Sequence, residues 1–325
     1  MARAGQPACI PIFRVRCHPD ENRLQVPLPN TDQVAEAATT SVAGAWTSSQ
    51  PSAKPAIVIQ PSFGWQGLGW REIWQYRDLL YLLAWRDVKV RYKQTVLGAT
   101  WAVIQPLLTM IVFTIFFGRL AGLDRQVHEA YPVFAYAGVL PWTFFSTVVT
   151  QSSMSMLAST NLITKVYFPR LIIPLATAGA PLVDLGVSFL VMLLLMAVYS
   201  VALSATILLF PLLVVATAMA ALGAGTLLAA LVVGYRDFRY VIPFLVQLWM
   251  FASPVVYPLD AVPPQWRLAY AINPLAGLID GFRSALLGDP LHAGPLAISI
   301  TASAVLFAVG TIFFCRVERQ FADIV

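Results

Sequence analysis

Charge is scarce in this chain: only 11% of its residues are Asp, Glu, Lys or Arg, against 58% apolar. Soluble domains carry about 25% charged residues, so a water-facing globule is excluded. Cysteine is nearly absent too. Cys17-His18 follows Cys9 but has no second ligand pair, and Cys315 stands alone, which leaves incidental thiols rather than a metal site. No Walker A loop, H-E-x-x-H, D-x-D or G-x-S-x-G occurs. Asp124, Glu129, Asp184, Asp260, Asp280 and Asp289 show no paired spacing, and His128 and His292 sit in separate loops. Catalysis, metal binding and ATP cleavage by this chain are therefore not expected. No secretory signal is expected in residues 1–56 either, since they hold scattered Arg, many Pro and no apolar core segment.

Long apolar runs are what the chain has instead. Six of them, near 98–118, 132–151, 171–199, 204–233, 241–258 and 295–315, approach the ~20 residues that cross a ~30 Å hydrocarbon layer as a helix. The expected fold is all-α: a polytopic membrane protein with six spans in residues 98–325. The net charge of +5 does not point to nucleic acid, because the basic residues cluster at the ends of these runs, where anionic headgroups attract them. With the N-terminus in the cytoplasm, twelve Lys and Arg flank the spans inside. Only Arg119, Arg125, Arg267 and Arg283 lie outside. The positive-inside rule thus places both termini in the cytoplasm.

Residues 1–56 are too poor in large apolar side chains to offset ordering entropy, and a disordered tail is expected. Residues 57–97 read as a membrane-interface segment whose later part, 71–93, is an amphipathic helix. Trp74, Tyr81, Trp85, Val88 and Tyr92 share one stripe, and Arg86, Lys89, Arg91 and Lys93 follow, with Asp87 and Arg91 at pairing distance. Between the fifth and sixth runs, residues 259–294 stay rich in apolar and aromatic side chains. Pro263-Pro264, Asn273-Pro274 and Gly288-Asp289-Pro290 divide them into helices near 265–272 and 275–287. Each is too short to cross, so two re-entrant or surface-lying helices are expected, sealing a pathway at its outer end with Tyr257, Trp266, Tyr270 and Arg283.

Asp184 is the one ionisable residue well inside a predicted span, a functional candidate by default. A proton relay needs more than one such group, so pairing with Ser, Thr, backbone, Arg267 or Arg283 is the preferred reading. The drive for any transport is then ATP on a separate chain. Two inner connections, Ser152–Arg170 and Tyr235–Tyr240, read either as interfacial anchors or as docking elements. Leu162, Ile163, Val166 and Phe168 exceed what anchoring needs. Aromatics gather towards the outer side, among them Tyr131, Phe134, Trp142, Phe145 and Trp249. Most read as packing, although an aromatic wall also suits a carbohydrate passage, since sugar C–H faces stack on rings.

Several strings carry a resemblance. Arg86-Asp87-Val88-Lys89-Val90-Arg91-Tyr92-Lys93-Gln94-Thr95-Val96-Leu97-Gly98, Leu162-Ile163-Thr164-Lys165-Val166-Tyr167-Phe168-Pro169-Arg170, Tyr235-Arg236-Asp237-Phe238-Arg239-Tyr240 and Asn273-Pro274-Leu275-Ala276-Gly277 occur in order. Together they resemble the bacterial polysaccharide-export permeases of the type-2 ABC class. The resemblance implies a homodimer in the bacterial inner membrane with two copies of a separate ATPase, which binds ATP and Mg. It implies a lipid-linked O-antigen, capsular or similar glycan as cargo, with export of a drug or lipid as the alternative. It makes 71–93 an interface helix and Thr95–Gly98 a loop at the lipid-headgroup entrance. It makes 152–165 a coupling helix seated in the ATPase, with Leu162, Ile163, Lys165, Tyr167, Phe168 and Arg236 as coupling residues. Arg86, Lys89, Arg91, Lys93, Leu97 and Gly98 mark the entrance. For any one of these cations, ordinary anionic-lipid anchoring is an equal reading.

Overall fold

Among the described residues, five helices are long and apolar enough to cross a membrane: Thr100–Leu120, Tyr131–Ala158, Ile172–Val198, Ala205–Gly234 and Ala293–Val317. The structure, a computed structural model, describes residues 70–93, 98–127, 129–163, 168–235 and 237–318. Among the described residues there is no strand. The expectations for the 1–56 tail, for Thr95, Val96 and Leu97, and for Lys165, Tyr167 and Arg236 lie outside them.

In chain order the helices are α1 (Trp70–Gln75), α2 (Arg77–Lys93), α3 (Gly98–Phe113), α4 (Tyr131–Ala158), α5 (Thr160–Ile163), α6 (Ile172–Ala176) and α7 (Gly179–Val198). They continue as α8 (Phe210–Gly234), α9 (Phe238–Phe251), α10 (Pro264–Tyr270), α11 (Pro274–Leu287) and α12 (Ala293–Val317). A π-helical stretch, Thr114–Leu120, prolongs α3, and a 3-10 turn, Ala205–Leu209, leads into α8.

The fifth apolar run departs from its expected length. Only the 14-residue α9 forms, and the chain leaves helical geometry after Phe251. Pro254 and Pro258 lack amide donors and bias Ser253 and Tyr257 away from helix, so residues 252–258 cannot extend it. The predicted coupling helix at 152–165 is also divided differently. Residues through Ala158 belong to α4, with Ser152, Ser153 and Ser155 buried, and α5 is a separate single turn.

α8 is the central helix, packed between α4 and α12. Small residues make that possible. A Cβ on Gly223 would meet the Leu306–Phe307 backbone at 2.5–2.7 Å, and one on Gly310 would overlap the carbonyl of Gly223. Lipid tails are as apolar as side chains, so helices in a bilayer are held by such close backbone approach rather than by expulsion of water. Around this axis Phe145, Tyr136, Met192, Leu213 and Phe282 form the main buried cluster.

A second cluster sits under the amphipathic helix. Leu83 is buried with Phe168, Leu171, Ile172, Ala229 and Phe314, and Tyr76, Leu79, Leu80 and Ala84 pack against them. Of the stripe predicted for this helix, Trp74, Tyr81 and Trp85 point away from this cluster and are exposed, with Tyr81 stacked on Trp85 and Lys89 Nζ 5.6 Å from the Trp85 ring, while Val88 and Tyr92 are half-buried. The helix therefore has two apolar faces, one for the protein and one free for a lipid interface.

Candidate functional site

The break after α9 leaves backbone carbonyls without helical partners, and side chains from the hairpin and from α4 take them up. Tyr131 Oη donates to Val256 O at 2.8 Å, Tyr270 Oη to Ala252 O at 2.9 Å, and Asn273 Nδ2 to Ala252 O at 3.0 Å. Arg283 reaches Val255 O at 2.8 Å with Nη2 and Tyr257 O at 3.0 Å with Nη1. Unwound backbone at membrane depth is viable only when buried and satisfied in this way.

Among the described residues, Arg283 is the largest fully buried side chain. Its guanidinium lies over the Phe134 ring, 3.7 Å from the centroid, and its Nε finds no hydrogen-bond acceptor among the described residues. Burial pushes it down to about 10, with Asp280 and Asp289 opposing the shift, so the group stays charged at neutral pH. The ring face replaces the missing acceptor through cation–π attraction. Gly138 makes room for this packing, because a Cβ there would fall 2.6 Å from Val255 O and 2.8 Å from Arg283 Nη2.

Asn273 ties the two sides of the break together. Its Oδ1 accepts from Trp249 Nε1 at 2.9 Å and caps α11 through the Leu275 amide at 3.2 Å, while Nδ2 also reaches Ser253 Oγ at 3.0 Å. At the far end Gly288, with φ of 77°, terminates α11 in the left-handed conformation. The start of α12 carries a polar cluster. His292 Nδ1 lies 3.0 Å from Asp280 Oδ2, and Arg267 Nη1 lies 3.0 Å from Asp260 Oδ1. Burial raises the Asp280 carboxyl, against the opposing pull of His292. Tyr270 is likewise raised, by burial and then by its 2.8 Å contact with Tyr257 Oη.

Of the hairpin residues singled out in the sequence, Tyr257, Tyr270 and Arg283 converge on the break. Trp266 does not; it is 61% exposed on α10, which buries none of its residues. α11 is buried throughout except for Asp280, so of the two helices expected to be re-entrant or surface-lying, one is exposed and the other is part of the core. Burial of both faces of α11 is what its apolar and small residues allow. Most of the aromatic group, including Tyr131, Phe134, Trp142 and Phe145, is buried packing.

Asp184 has partners other than Arg267 or Arg283. Arg91 Nη2 lies 2.7 Å from Asp184 Oδ2, and Tyr92 Oη donates to Asp184 Oδ1 at 2.5 Å. The pairing of Asp87 with Arg91 does not form; Asp87 pairs with Arg86 at 2.8 Å instead. Arg91 and Asp184 line a cavity of about 600 Å³ with Gln105, Thr143, Thr147 and Ser188. Arg86, Lys89 and Lys93 are exposed on α2, and Gly98 opens α3. On the loop after α4, Leu162 is half-buried, whereas Phe168 is spent on the cluster beneath α2 and offers no free surface for docking.

Sequence reading missed Asn273, Trp249, Phe134 and Gly138 as parts of the site. Asn273 had a signal, an N-cap residue just before Pro274. Phe134 and Gly138 had none, because their roles depend on a helix far away in sequence.

The sequence is similar to those of known proteins. Over 257 residues the chain is 33% identical to the O-antigen export system permease protein RfbA of Myxococcus xanthus, covering 78% of this chain and 97% of that protein. It is 27% identical over 248 residues to the protein of the same name from Klebsiella pneumoniae, covering 76% and 95%. Against the polysialic acid transport protein KpsM of Escherichia coli the identity is 26% over 232 residues, covering 70% and 87%. Residues 78–287, from the amphipathic helix to the end of α11, match the ABC-2 type transporter family, and it is to this family that the chain belongs.

Proposed function

We propose that this chain is the permease of an ATP-driven exporter that moves a lipid-linked polysaccharide, an O-antigen, capsular or similar glycan, from the cytoplasm across the bacterial inner membrane. The observation that carries this reading is the 33% identity running through 97% of an O-antigen export permease. ATP hydrolysis belongs to a separate subunit. Two permease chains assemble with two copies of that subunit, which brings ATP and Mg.

A glycan cannot cross hydrocarbon unaided, so the assembly must offer a solvated passage that is sealed at rest. In this reading both termini are cytoplasmic, and α9 with residues 252–258 completes a sixth crossing. The capped carbonyls support it, since only satisfied irregular backbone is tolerated there. The hairpin α10–α11 closes the outer end. On the inner side, the exposed Arg86, Lys89 and Lys93 attract a phosphate-bearing lipid headgroup. Leu162 and Ile163, with Lys165, Tyr167 and Arg236 beyond the described residues, seat in the ATPase. Trp74, Tyr81 and Trp85 rest in the membrane interface.

The test is deletion in the native host, with complementation by the intact chain and its ATPase. Loss of surface glycan, with lipid-linked glycan accumulating inside, is the expected result. Unchanged surface glycan in the deletion strain would overturn the reading.

A further inference from the structure

The amphipathic helix α2 is joined to α7 at two places. At the first, the backbones nearly touch: a Cβ on Gly179 would lie 2.7 Å from Ala84 Cβ. At the second, both oxygens of Asp184 are taken by consecutive residues of α2, Oδ1 by Tyr92 and Oδ2 by Arg91. Consecutive helical residues point about 100° apart. A single carboxylate receives both only by sitting across the last turn of the helix. That geometry resists sliding and rotation together, which apolar contact inside a bilayer does not, because side chains and lipid tails are interchangeable there.

Burial favours keeping this joint intact. The Asp184 side chain is only 15% exposed, so losing a partner strands a carboxylate that water barely reaches. Burial, and then the bond to Asp184, raise the Tyr92 phenol, which therefore remains a proton donor throughout the physiological range. Asp184 also faces the cavity of about 600 Å³, beside Gln105, Thr143 and Ser188. One side chain thus connects the amphipathic helix, a candidate span and a cavity wall.

We propose that Asp184 is a positioning residue for transport: it fixes the end of α2 to α7, so that displacement of α2 moves the cavity wall instead of being lost as slip. The proposal rests on the transport reading above. It assigns Arg91 to this joint rather than to a free headgroup site. No proton relay is involved, because the role is mechanical and needs the charge only as an acceptor.

The test uses the full complex of permease and ATPase, in cells and in proteoliposomes. Asp184→Asn should cut glycan export about tenfold, the scale of a typical coupling joint. ATP hydrolysis by the complex and its amount in the membrane should stay near wild type. Tyr92→Phe, which removes one oxygen and is expected to fold, should give the same split more weakly. The exchange Arg91→Asp with Asp184→Arg should recover part of the lost export. Wild-type export by both Asp184→Asn and Tyr92→Phe would overturn the proposal. So would a loss of export in Tyr92→Phe that merely follows a parallel loss of assembled complex and ATPase rate, since that is simple misfolding. Failure of the transport reading looks different, because the unaltered chain would then export no glycan at all.

Discussion

The guanidinium carbon of Arg283 stands 3.7 Å from the centre of the Phe134 ring, joining the buried helix α11 to α4 through a cation shut off from the protein surface. The same group holds the carbonyls of Val255 and Tyr257. A residue in this position is an anchor for the broken segment, and a channel-lining role predicts something different.

Arg283→Met should therefore destabilise the permease. Each carbonyl left without a partner costs about 1–3 kcal/mol. The thermal unfolding midpoint of the detergent-purified protein should fall by roughly 5 °C or more. Arg283→Lys should lie between, because an ammonium lacks the fork that spans two carbonyls. A normal midpoint combined with lost export would instead assign Arg283 to the pathway.

Close helix packing gives a second prediction. Gly310→Ala forces a methyl against the Gly223 carbonyl, a backbone atom that cannot step aside. Overpacking of this kind costs about 1–3 kcal/mol or more, and the amount of folded protein in the membrane should drop. Gly186→Ala is the matched control, since a Cβ there has no neighbour within 4 Å. Equal yields of the two variants would mean that the α8–α12 contact is looser than the structure has it.

The polar cluster at the start of α12 predicts a pH dependence. Burial raises the folded-state Asp280 above its ordinary value of 3.8. The folded protein thus holds this proton more tightly than the unfolded chain. The resulting stabilisation is fully present below the unfolded pKa and is lost as pH rises through the folded one. Relative to Asp280→Asn, the native protein should lose stability as pH is raised from about 4, by no more than ~1.4 kcal/mol per pH unit. Thermal melts across that range check it, and a pH-independent difference between the two proteins would contradict it.

Most of the helical plan is legible in the sequence because it depends on local features. The proline pairs and Asn273-Pro274 mark the hairpin breaks within a residue or two of Pro264–Tyr270 and Pro274–Leu287. The early end of α9 was readable from Pro254, but apolarity alone carried the expected span past it. What depends on distant partners was not legible. Asp184 meets Tyr92 across 92 residues, and nothing local distinguishes that partner from the loop arginines. The interface-facing stripe of Trp74, Tyr81 and Trp85 was legible, but the second face of the same helix, packed on protein, was hidden for a related reason. A helix with two apolar faces has a clear stripe on either side, and only the buried position of Leu83 tells which one meets protein.

The loop after α4 separates docking from packing. If Ile163 sits in a groove of the ATPase, Ile163→Asp should reduce co-purification of the two subunits and export while the permease still inserts. Phe168→Ala should do the reverse. Its ring is buried under α2, so truncation removes about 3–5 kcal/mol of packing and lowers the permease level itself. Pull-down of the ATPase, normalised to permease in the membrane, distinguishes the two. Similar ratios for both variants would remove the docking assignment from this loop.

The hairpin yields the sharpest contrast, because its two helices are so differently placed. In α10 no residue is buried, and Trp266, Leu268 and Ala269 are exposed, while in α11 every residue except Asp280 is buried. Cysteines replacing Gln265, Trp266 and Ala269 should react quickly with a membrane-impermeant maleimide added outside intact cells. Those replacing Leu278, Ala285 or Leu286 should stay protected until the protein is denatured. The physical reason is the anchoring of α11 from three sides: Arg283 to the break, Asn273 to Trp249, and the Gly277 amide to Ser299 Oγ at 2.9 Å. A helix held this way moves only with its neighbours, so if the hairpin closes the outer end as proposed, any opening must carry α11 together with α9 and α12. Labelling of the α11 positions should accordingly rise during active export, when the complex turns over ATP, and remain low with the ATPase inhibited. Rapid labelling of α11 at rest would mean that the hairpin is an ordinary exposed loop, and labelling that ignores ATP turnover would detach it from the transport cycle.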